Sequence, residues 1–469
     1  MNDDQRIDLT EAVPAEVAEV DLYQQREKIY TRKIEGFFQR LRLYTGWPLL
    51  IGYFGLPWLE WGGRQAILFD LPARKFHILG MTFWPQDFSL LAFLLIIAAY
   101  ALFAVTVVAG RVWCGYTCPQ TVWTAIFMYL EQRFEGSRNQ RIKLDKAPWS
   151  IEKVWRKGMK HSSWLVVAFM TGMTFVGYFY PIKQLVPELA TLSTGFWQAA
   201  WTVFFTLATY INAGWMREQV CKYMCPYARF QSVMFDKDTL IVSYNQARGE
   251  PRGSRKHDAD PKELGLGECI DCQLCVQVCP TGIDIREGLQ YECIGCALCI
   301  DACNSIMDKM QYPRDLISYT SEHELAGGKM HWFRPRIIGY AAMLCIMISV
   351  FAYNLINRVP LELTVMRDRG DLYVQTHDGR IENIYTLHIV NMTDQQHRYS
   401  LSVEGLEDVL IMGNREPLVP AGEDLTVSLR LNAPSGARAT ASSPIHFNLT
   451  AEDNPELSVR IESRFMRPL

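Results

Sequence analysis

Several features are missing from this 469-residue sequence, and each absence excludes a class of function. There is no Gly-x-Gly-x-x-Gly before a helix and no Walker-type loop, so we do not expect the chain to bind a nucleotide and take hydride itself. Its long apolar runs contain no histidine, which leaves no haem ligand within them. The net charge of -3 and the pI near 6.3 argue against a general nucleic-acid-binding protein.

Cysteine is absent after Cys345, and twelve of the 13 cysteines fall into four short motifs. This placement indicates metal ligation in a reducing compartment, with a cysteine-free domain elsewhere. Cys345 itself lies in an apolar run without a partner motif, and we predict that it only contributes to packing. About forty polar residues precede the first apolar run, which argues against a cleavable signal peptide.

Five apolar runs predict membrane-spanning helices. A run such as Phe88–Ala109 forms about 33 Å of helix, enough to cross the apolar part of a bilayer. Residues 111–161 carry ten Lys and Arg, against three in residues 60–87, and the positive-inside rule therefore places that loop in the cytoplasm. The N-terminus and residues 217–336 are then cytoplasmic and the C-terminal region is outside. The predicted spans are residues 43–59, 88–109, 162–182, 189–216 and 337–357.

After the last apolar run the sequence alternates with period two, as in Tyr385, Leu387 and Ile389. About seven short strands separated by turn signals predict an antiparallel, immunoglobulin-like all-β sandwich. The fold class is thus a multi-domain membrane protein with about five transmembrane helices, a cytoplasmic ferredoxin-like α+β module and this sandwich. The predicted domains are an N-terminal segment (1–42), helices 1–4 (43–217), the cytoplasmic ferredoxin region (218–335), helix 5 (336–357) and the outer sandwich (358–469).

The cytoplasmic region contains two copies of a C-x2-C-x2-C-x3-C motif, "CIDCQLCVQVCP" and "CIGCALCIDACN". This spacing is typical of bacterial ferredoxins with two 4Fe–4S clusters, in which the fourth cysteine of each motif ligates the other cluster. Zinc sites or a disulfide-rich knot are the alternatives, and the cytoplasmic placement weakens the second. We assign one cluster to Cys269, Cys272, Cys275 and Cys303, and the other to Cys293, Cys296, Cys299 and Cys279.

Two C-x3-C-P motifs follow the second and fourth predicted spans, both at the cytoplasmic face. If each pair is helical, its sulfurs share one helix face, and the following Pro119 or Pro226 ends or bends the helix. The two pairs would then meet as four thiolates able to hold a third iron–sulfur cluster, Cu(I) or zinc. Buried free cysteines or a redox-active dithiol are the alternatives. The residues of this predicted site are Cys114, Cys118, Cys221 and Cys225.

The order of these motifs resembles a known family. Paired C-x3-C-P motifs beside membrane helices, a two-cluster ferredoxin module, one further span and an outer β-domain occur in this order. Together with the segments "RQAILFDLPARKFHILGMTFWPQDF" and "RVWCGYTCPQTVWT", they resemble the FixG/RdxA/CcoG family of cytochrome c oxidase accessory proteins. NapH-like electron carriers share the C-x3-C-P pairs, but the sandwich and the aromatic outer loop favour the first family.

The resemblance implies a metalloreductase that converts Cu(II) to Cu(I) by single-electron transfer for assembly of a cbb-type haem–copper oxidase. It implies the eight ferredoxin cysteines as cluster ligands, and the four C-x3-C-P cysteines as a membrane-edge metal site, either copper or a third 4Fe–4S cluster. The expected partners are a cytoplasmic or membrane electron donor, copper ion, copper chaperones, the oxidase, the lipid bilayer and a second copy in a homodimer. The expected location is the bacterial inner membrane, with the sandwich in the periplasm.

Two other functions compete with this one. The chain could be a quinol-linked electron-transfer subunit that serves a periplasmic reductase, in which case its clusters would be reduced by quinol and would not respond to copper. It could also be a non-catalytic scaffold for oxidase assembly, in which case variants of the cluster ligands would still support assembly. Eight ligands are more than a purely structural role requires, which disfavours the scaffold.

Overall fold

The computed structural model describes residues 28–256, 261, 263–368, 370, 372–434 and 441–468. Residues 1–27 of the predicted N-terminal segment lie outside the described residues. Most of the chain up to residue 356 is helical. The helices are α1 (Phe37–Gly55), α2 (Phe88–Ala109), α3 (Val112–Tyr116), α4 (Pro119–Glu135), α5 (Arg138–Lys146), α6 (Ile151–Val176), α7 (Ile182–Ala190), α8 (Phe196–Thr209), α9 (Pro226–Met234), α10 (Gln246–Gly249), α11 (Leu274–Val278), α12 (Leu298–Met310), α13 (Glu322–Leu325) and α14 (Pro335–Ile356).

Strands form two small sheets before α2, one antiparallel pair in the cysteine-rich region and the two sheets of the C-terminal domain. They are β1 (Glu60–Trp61), β2 (Arg64–Gln65), β3 (Ile67–Asp70), β4 (Lys75–Ile78), β5 (Met81–Phe83), β6 (Ile241–Tyr244), β7 (Ile317–Thr320), β8 (Leu361–Arg367), β9 (Val374–Gln375), β10 (Ile381–Asn391), β11 (His397–Glu404), β12 (Leu410–Met412), β13 (Leu418–Val419), β14 (Asp424–Ala433), β15 (Ser442–Ala451) and β16 (Ser458–Met466).

Two helices among the described residues are long and apolar enough to cross a membrane, Pro85–Ala109 and Pro335–Ile356. Only 17% and 6% of their most apolar windows is buried within the protein, so most of each surface is left for lipid. The predicted count of about five spans is therefore wrong for the described residues. The first of these helices contains α2 and the second is α14.

The other three predicted spans do not form long apolar helices of this kind, each for a separate physical reason. Helix α1 contains Pro48 and charged residues in its first turns. The run 162–182 continues beyond the end of α6 at Val176, and the first part of α6 is charged. The run 189–216 is divided, because α8 ends at Thr209 and gives way to π-helical backbone over Tyr210–Met216.

Helices α2 and α14 run antiparallel, and the two ends of the pair contact different parts of the chain. At one end, Leu240 N donates to Val108 O of α2 at 3.1 Å, and Arg334 before α14 pairs with Asp236. At the other end, Arg358 after α14 pairs with Asp87 before α2 at 2.5 Å. The cysteine-rich region therefore lies at one end of the helix pair and the C-terminal domain at the other.

The cysteine-rich region is a small α+β unit. Strands β6 and β7 pair antiparallel in the register Ile241–Thr320, and α11 packs against α12 beside them. Val242, Ile317 and Ala297 belong to its buried apolar core, and six of the ferredoxin cysteines lie in or against the same core. This arrangement surrounds the sulfurs with apolar side chains, which limits the access of water to them.

The C-terminal domain is a two-layer antiparallel sandwich. One sheet has the order β12-β14-β10-β8 with β9 beside β10, and the other has the order β13-β11-β15-β16. Tyr385, Leu387 and Ile389 of β10 are fully buried between the layers, as their alternation predicts. Among the described residues of this domain nine strands form where about seven are predicted, because β9 and β13 are only two residues long and carry too little alternation to detect.

Candidate functional site

The two ferredoxin motifs fold as copies of one loop. In the first, Asp271 and Gln273 adopt left-handed backbone conformations with φ of 52° and 56°. In the second, Gly295 and Ala297 occupy the equivalent positions with φ of 65° and 58°. A left-handed residue between successive cysteines turns the chain repeatedly around one centre. The short helix that follows each loop, α11 or α12, carries the third cysteine of its motif.

One cavity of about 360 Å³ is lined by cysteines from both motifs. Three come from the first motif and one, Cys303, from the second, as the predicted ligand exchange requires. Apolar residues such as Leu316 and Ile317 complete the wall. Cys272 is the exposed member of this set, so this cavity, called here the outer cavity, is the one nearer to solvent. Its cysteines are Cys269, Cys272, Cys275 and Cys303.

A second cavity of about 350 Å³ has the complementary composition. It contains three cysteines of the second motif together with Cys279 of the first, and Cys275 borders it as well as the outer cavity. Its cysteines are buried or half-buried, and we call it the inner cavity. The donor set of each cavity suits a cubane cluster, and the assignment of individual ligands stays a prediction. The cysteines of the inner cavity are Cys279, Cys293, Cys296 and Cys299, with Cys275 at its border.

Burial strongly affects the ionisation of these thiols. It raises the pKa of Cys275, Cys293 and Cys303 to about 12, and that of Cys299 well above its ordinary value. The thiols alone would therefore be protonated at neutral pH. A metal centre requires thiolates, so its binding would release protons. The positive charge of the metal would also compensate the negative thiolates, which this apolar environment otherwise disfavours.

The two C-x3-C-P motifs also share one local structure. Cys114 lies in the short helix α3, and Cys118 is the residue before α4, whose first residue is Pro119. Cys221 lies in a π-helical turn over Val220–Met224, and Cys225 likewise precedes α9, which begins at Pro226. The prediction that a helix ends at each proline is confirmed, because α3 ends at Tyr116 and the π-helical turn ends at Met224. Each proline begins the next helix, because proline fits the first helical position, where no N–H bond is needed.

The structure brings the two thiol pairs together into what we call the thiol pocket. Burial, with smaller contributions from the nearby sulfurs of Cys118, Cys221 and Cys225, raises the pKa of Cys114 to about 12. Burial likewise raises the pKa of Cys221 to about 11, with Cys118 again contributing. The four residues predicted to form one site are thus close enough to interact electrostatically.

A polar side chain holds one of these thiols in place. Cys114 Sγ donates to Oε1 of the fully buried Gln231 at 3.3 Å. The Gln231 amide donates in turn to Thr106 Oγ1 at 3.2 Å, and Tyr227 Oη lies 2.7 Å from the same Thr106 oxygen. Sequence reasoning missed these three residues. The signal that could have indicated them was Thr106, a polar residue near the end of the apolar helix α2.

The thiol pocket lies directly against the inner cavity. A Cβ atom at Gly115 would lie 2.9 Å from Cys296 Cα and from Gly295 O, so only glycine fits between the motifs at this point. Cys114 packs against the apolar cluster that contains Cys296. The buried Arg111 guanidinium donates to the carbonyl oxygens of Tyr291, Cys293 and Ala228, and so connects the start of the first C-x3-C-P motif with the second ferredoxin motif and with α9.

The spacing of the sulfurs narrows the kind of centre that the thiol pocket could hold. Among the described His, Cys, Asp and Glu side chains, one set of three or more places its ligand atoms within 4.8 Å of one another, and it contains no cysteine. Tetrahedral zinc with bonds of about 2.3 Å would place its sulfurs roughly 3.8 Å apart. The pocket therefore suits an iron–sulfur cluster, in which each cysteine binds a different metal atom, or a Cu(I) ion held by two sulfurs. It suits a single metal ion held by all four sulfurs less well.

The remaining cysteine has a different environment. Cys345, predicted to be a packing residue, is exposed on the outward-facing surface of α14 and does not contribute to the core of the described chain. Its exposure follows from the placement of α14, which is buried at few positions.

Comparison with known protein families identifies the class of this protein. Residues 216–322 match a family described as "4Fe-4S dicluster domain", and residues 91–136 match a "4Fe-4S binding domain". Residues 351–468 match the "IG-like fold at C-terminal of FixG". Together with the apolar helices, these matches define an iron–sulfur electron-transfer protein of the membrane with an immunoglobulin-like C-terminal domain, and they confirm the predicted ferredoxin-type and sandwich folds.

Three named proteins resemble the chain over most of its length. Protein RdxA of Cereibacter sphaeroides is 40% identical over 89% of this chain and 91% of its own. Nitrogen fixation protein FixG of Rhizobium meliloti is 38% identical over 82% of this chain and 80% of its own. Protein RdxB of Cereibacter sphaeroides is 37% identical over 92% of this chain and 94% of its own. The chain belongs to the FixG/RdxA family, and the predicted resemblance is confirmed.

Proposed function

We propose that this protein is a membrane-bound cupric reductase that supplies Cu(I) for assembly of a cbb-type cytochrome c oxidase. The observation that carries the proposal is the direct contact between the thiol pocket and the inner cavity at Gly115 and Cys296. Cu(II) is the substrate, and one electron converts it to Cu(I). Thiolate sulfur prefers Cu(I), so binding by two of the four pocket cysteines favours the reduced ion.

The 4Fe–4S clusters, when bound, supply single-electron transfer. The residues of the chain that would hold them are the eight ferredoxin cysteines. The exposed Cys272 marks the side on which a cytoplasmic or membrane donor would dock. Cys275, which borders both cavities, keeps the two binding sites adjacent. Apolar residues such as Ile294 and Leu298 keep water away from the inner cavity, and Gln231 orients the Cys114 thiol.

In this proposal the ferredoxin module is cytoplasmic and the sandwich is periplasmic, with α2 and α14 crossing the inner membrane. The positions of the two modules at opposite ends of these helices support the arrangement, as do the ten Lys and Arg in residues 111–161. Gln39 N donates to Asp301 of α12 at 2.8 Å, so the start of α1 lies on the side of the ferredoxin module, and α1 would have to reach the side of the sandwich before α2 begins after Asp87. A periplasm-dependent reporter fused after the sandwich should be active, and one inserted at Gly265 should be inactive; the reverse pattern would contradict the topology.

Copper reduction itself provides the test of the proposed activity. The protein is purified without oxygen, reduced and freed of reductant, and Cu(II) is added with a chelator specific for Cu(I). We expect Cys114→Ser and Cys221→Ser to slow Cu(I) production by at least about tenfold, because each removes a sulfur that holds copper. Cys345→Ser is the matched control, since that thiol is exposed on α14 and remote from the thiol pocket in sequence.

Iron content must be unchanged in all three variants for this comparison to hold. Wild-type rates in both pocket variants would show that the pocket does not reduce copper. Reduction of the clusters by quinol, without any response to copper, would favour the quinol-linked subunit instead. Oxidase assembly in cells that carry cluster-ligand variants would favour the scaffold.

A further inference from the structure

A second group of metal-binding side chains lies outside the cysteine centres. Asp238 Oδ1 is 3.0 Å from His323 Nδ1 and 3.4 Å from His331 Nδ1. Among the described residues, this is the set whose three ligand atoms all lie within 4.8 Å of one another. The two imidazole rings meet edge to face, with centroids 5.2 Å apart and an interplanar angle of 64°. One histidine is enough to form an ion pair with Asp238, so the presence of the second histidine requires a separate explanation.

Backbone hydrogen bonds and strand pairing help to hold these three residues together. His323 N donates to Lys237 O at 3.0 Å, and Gly328 N closes the following turn on His323 O at 2.9 Å. His331 N donates to Asp238 Oδ1 at 3.2 Å. Antiparallel pairing of β6 with β7 fixes the distance between the segments that carry Asp238 and His323. The site is therefore preorganised, which reduces the entropy lost when a ligand binds.

The distances fit the coordination of a divalent ion. Metal–nitrogen and metal–oxygen bonds of about 2.1 Å place neighbouring ligand atoms roughly 3.0 Å apart at a right angle and roughly 3.4 Å apart at a tetrahedral angle. Two imidazoles and one carboxylate suit first-row divalent ions, and Cu(II) binds such donors most tightly. The side chains of His323 and His331 are 42% and 65% exposed, which leaves open positions for water or a further ligand.

We propose that Asp238, His323 and His331 form a binding site for a divalent transition-metal ion, with Cu(II) bound most tightly. The site lies where the membrane helices meet the ferredoxin module, because Thr239 Oγ1 donates to Val107 O of α2 at 3.0 Å. Val242, which lines the inner cavity, is four residues from Asp238, so the two Cα atoms are at most about 14 Å apart. Use of this ion as the substrate for reduction rests on the proposed function, whereas its binding does not.

The test measures binding of Cu(II) alone to the full-length protein, purified without oxygen and with its clusters oxidised. Electron paramagnetic resonance counts the bound Cu(II) and detects hyperfine coupling to imidazole nitrogen. A competing chelator gives the affinity, and Zn(II) is titrated separately as a redox-inert probe. The variants are His323→Gln and His331→Gln. The control is His377→Gln, because His377 is likewise exposed and has a carboxylate residue, Asp378, beside it in the sequence.

We expect each of the two variants to weaken Cu(II) and Zn(II) binding by at least about tenfold and to lose imidazole coupling, with the control unchanged. His331 is exposed, so His331→Gln keeps the test valid if His323→Gln fails to fold. Wild-type affinity in both variants would overturn the proposal, and so would an equal loss in the control, since that result indicates only adventitious binding to surface histidine. Cys114→Ser should retain this Cu(II) signal, which separates failure of the proposed reductase from failure of this site.

Discussion

Gly115 lies between the two cysteines of the first C-x3-C-P motif and touches the backbone of Cys296 in the second ferredoxin motif. A Cβ atom added there would lie 2.9 Å from Cys296 Cα. Because backbone atoms cannot rotate away as a side chain can, the two loops would have to separate. This contact is therefore what keeps the thiol pocket next to the inner cavity.

The first prediction concerns Gly115→Ala. We expect it to destabilise the protein by about 1–3 kcal/mol through overpacking and to slow Cu(II) reduction, because the two loops move apart. Thermal unfolding and the Cu(I) assay measure the two effects. Gly158→Ala is the control, since a Cβ at Gly158 in α6 meets nothing within 4 Å. Equal stability and activity in the two variants would mean that the contact at Gly115 is unimportant.

The second prediction concerns Arg111. Its guanidinium donates to three backbone carbonyls, those of Tyr291 and Cys293 and that of Ala228 in α9, and Arg111→Gln would remove these charged donors from a buried setting. We expect a loss of about 1.5–3 kcal/mol in stability and a lower iron content after purification. Unfolding curves and iron analysis provide the measurement. Arg133→Gln, at an exposed position of α4, should match the wild type in both; an Arg111→Gln variant that does so too would contradict the structural role.

The parts of the fold that the sequence predicts correctly are those set by local repetition. Alternation in Tyr385, Leu387 and Ile389 suffices to place them in a core, because successive strand residues point to opposite faces. Ferredoxin spacing predicts an exchange of cysteines between motifs, and Cys303 does line the cavity of the first motif. Both inferences depend only on residues that are close in the sequence and on a known repeat, either the alternation of a strand or the spacing of the cysteines.

The parts that the sequence does not predict depend on distant contacts or on backbone irregularity. Apolar composition alone does not show that α8 gives way to π-helical backbone at Tyr210, so the number of spans was overestimated. Asp238 and His323 are 85 residues apart and meet only because β6 pairs with β7. The contact of Gly115 with Cys296 likewise joins two motifs that sequence reasoning treated separately.

The third prediction concerns the buried Glu131. Arg217 and Arg141 approach its carboxylate at 2.9 and 3.1 Å, and Arg217 lies four residues before Cys221. Burial opposes ionisation of Glu131, but Arg217, Lys28 and Arg141 outweigh it and lower the pKa to about 2. Because the folded-state pKa lies below the ordinary value of 4.5, this stabilisation is complete above pH 4.5 and is lost as pH falls toward 2.

Two measurements test this role of Glu131. Glu131→Gln should cost about 3–5 kcal/mol at neutral pH, because it leaves two arginines buried without a full counter-charge. The protection of α4 amides against hydrogen exchange, relative to the intrinsic rate at each pH, should fall in the wild type below pH 4.5 and should change less with pH in the variant. Glu152→Gln removes an exposed carboxylate that pairs with Arg156, and it should leave both stability and pH dependence unchanged. A stable Glu131→Gln variant with the pH profile of the wild type would contradict the prediction.

The fourth prediction concerns the exchange of ligands between the ferredoxin motifs. Cys303 belongs to the second motif in sequence but lines the outer cavity, whereas Cys279 belongs to the first motif and lines the inner cavity. We therefore expect Cys303→Ser to alter the same cluster signal as Cys272→Ser, and Cys279→Ser to alter the same signal as Cys296→Ser. Electron paramagnetic resonance of the dithionite-reduced protein, with iron analysis, distinguishes the two pairs. Cys345→Ser should leave both signals intact. If Cys303→Ser instead altered the signal that Cys296→Ser alters, each cluster would be held by its own motif, and the order of the two cavities between solvent and the thiol pocket would have to be revised.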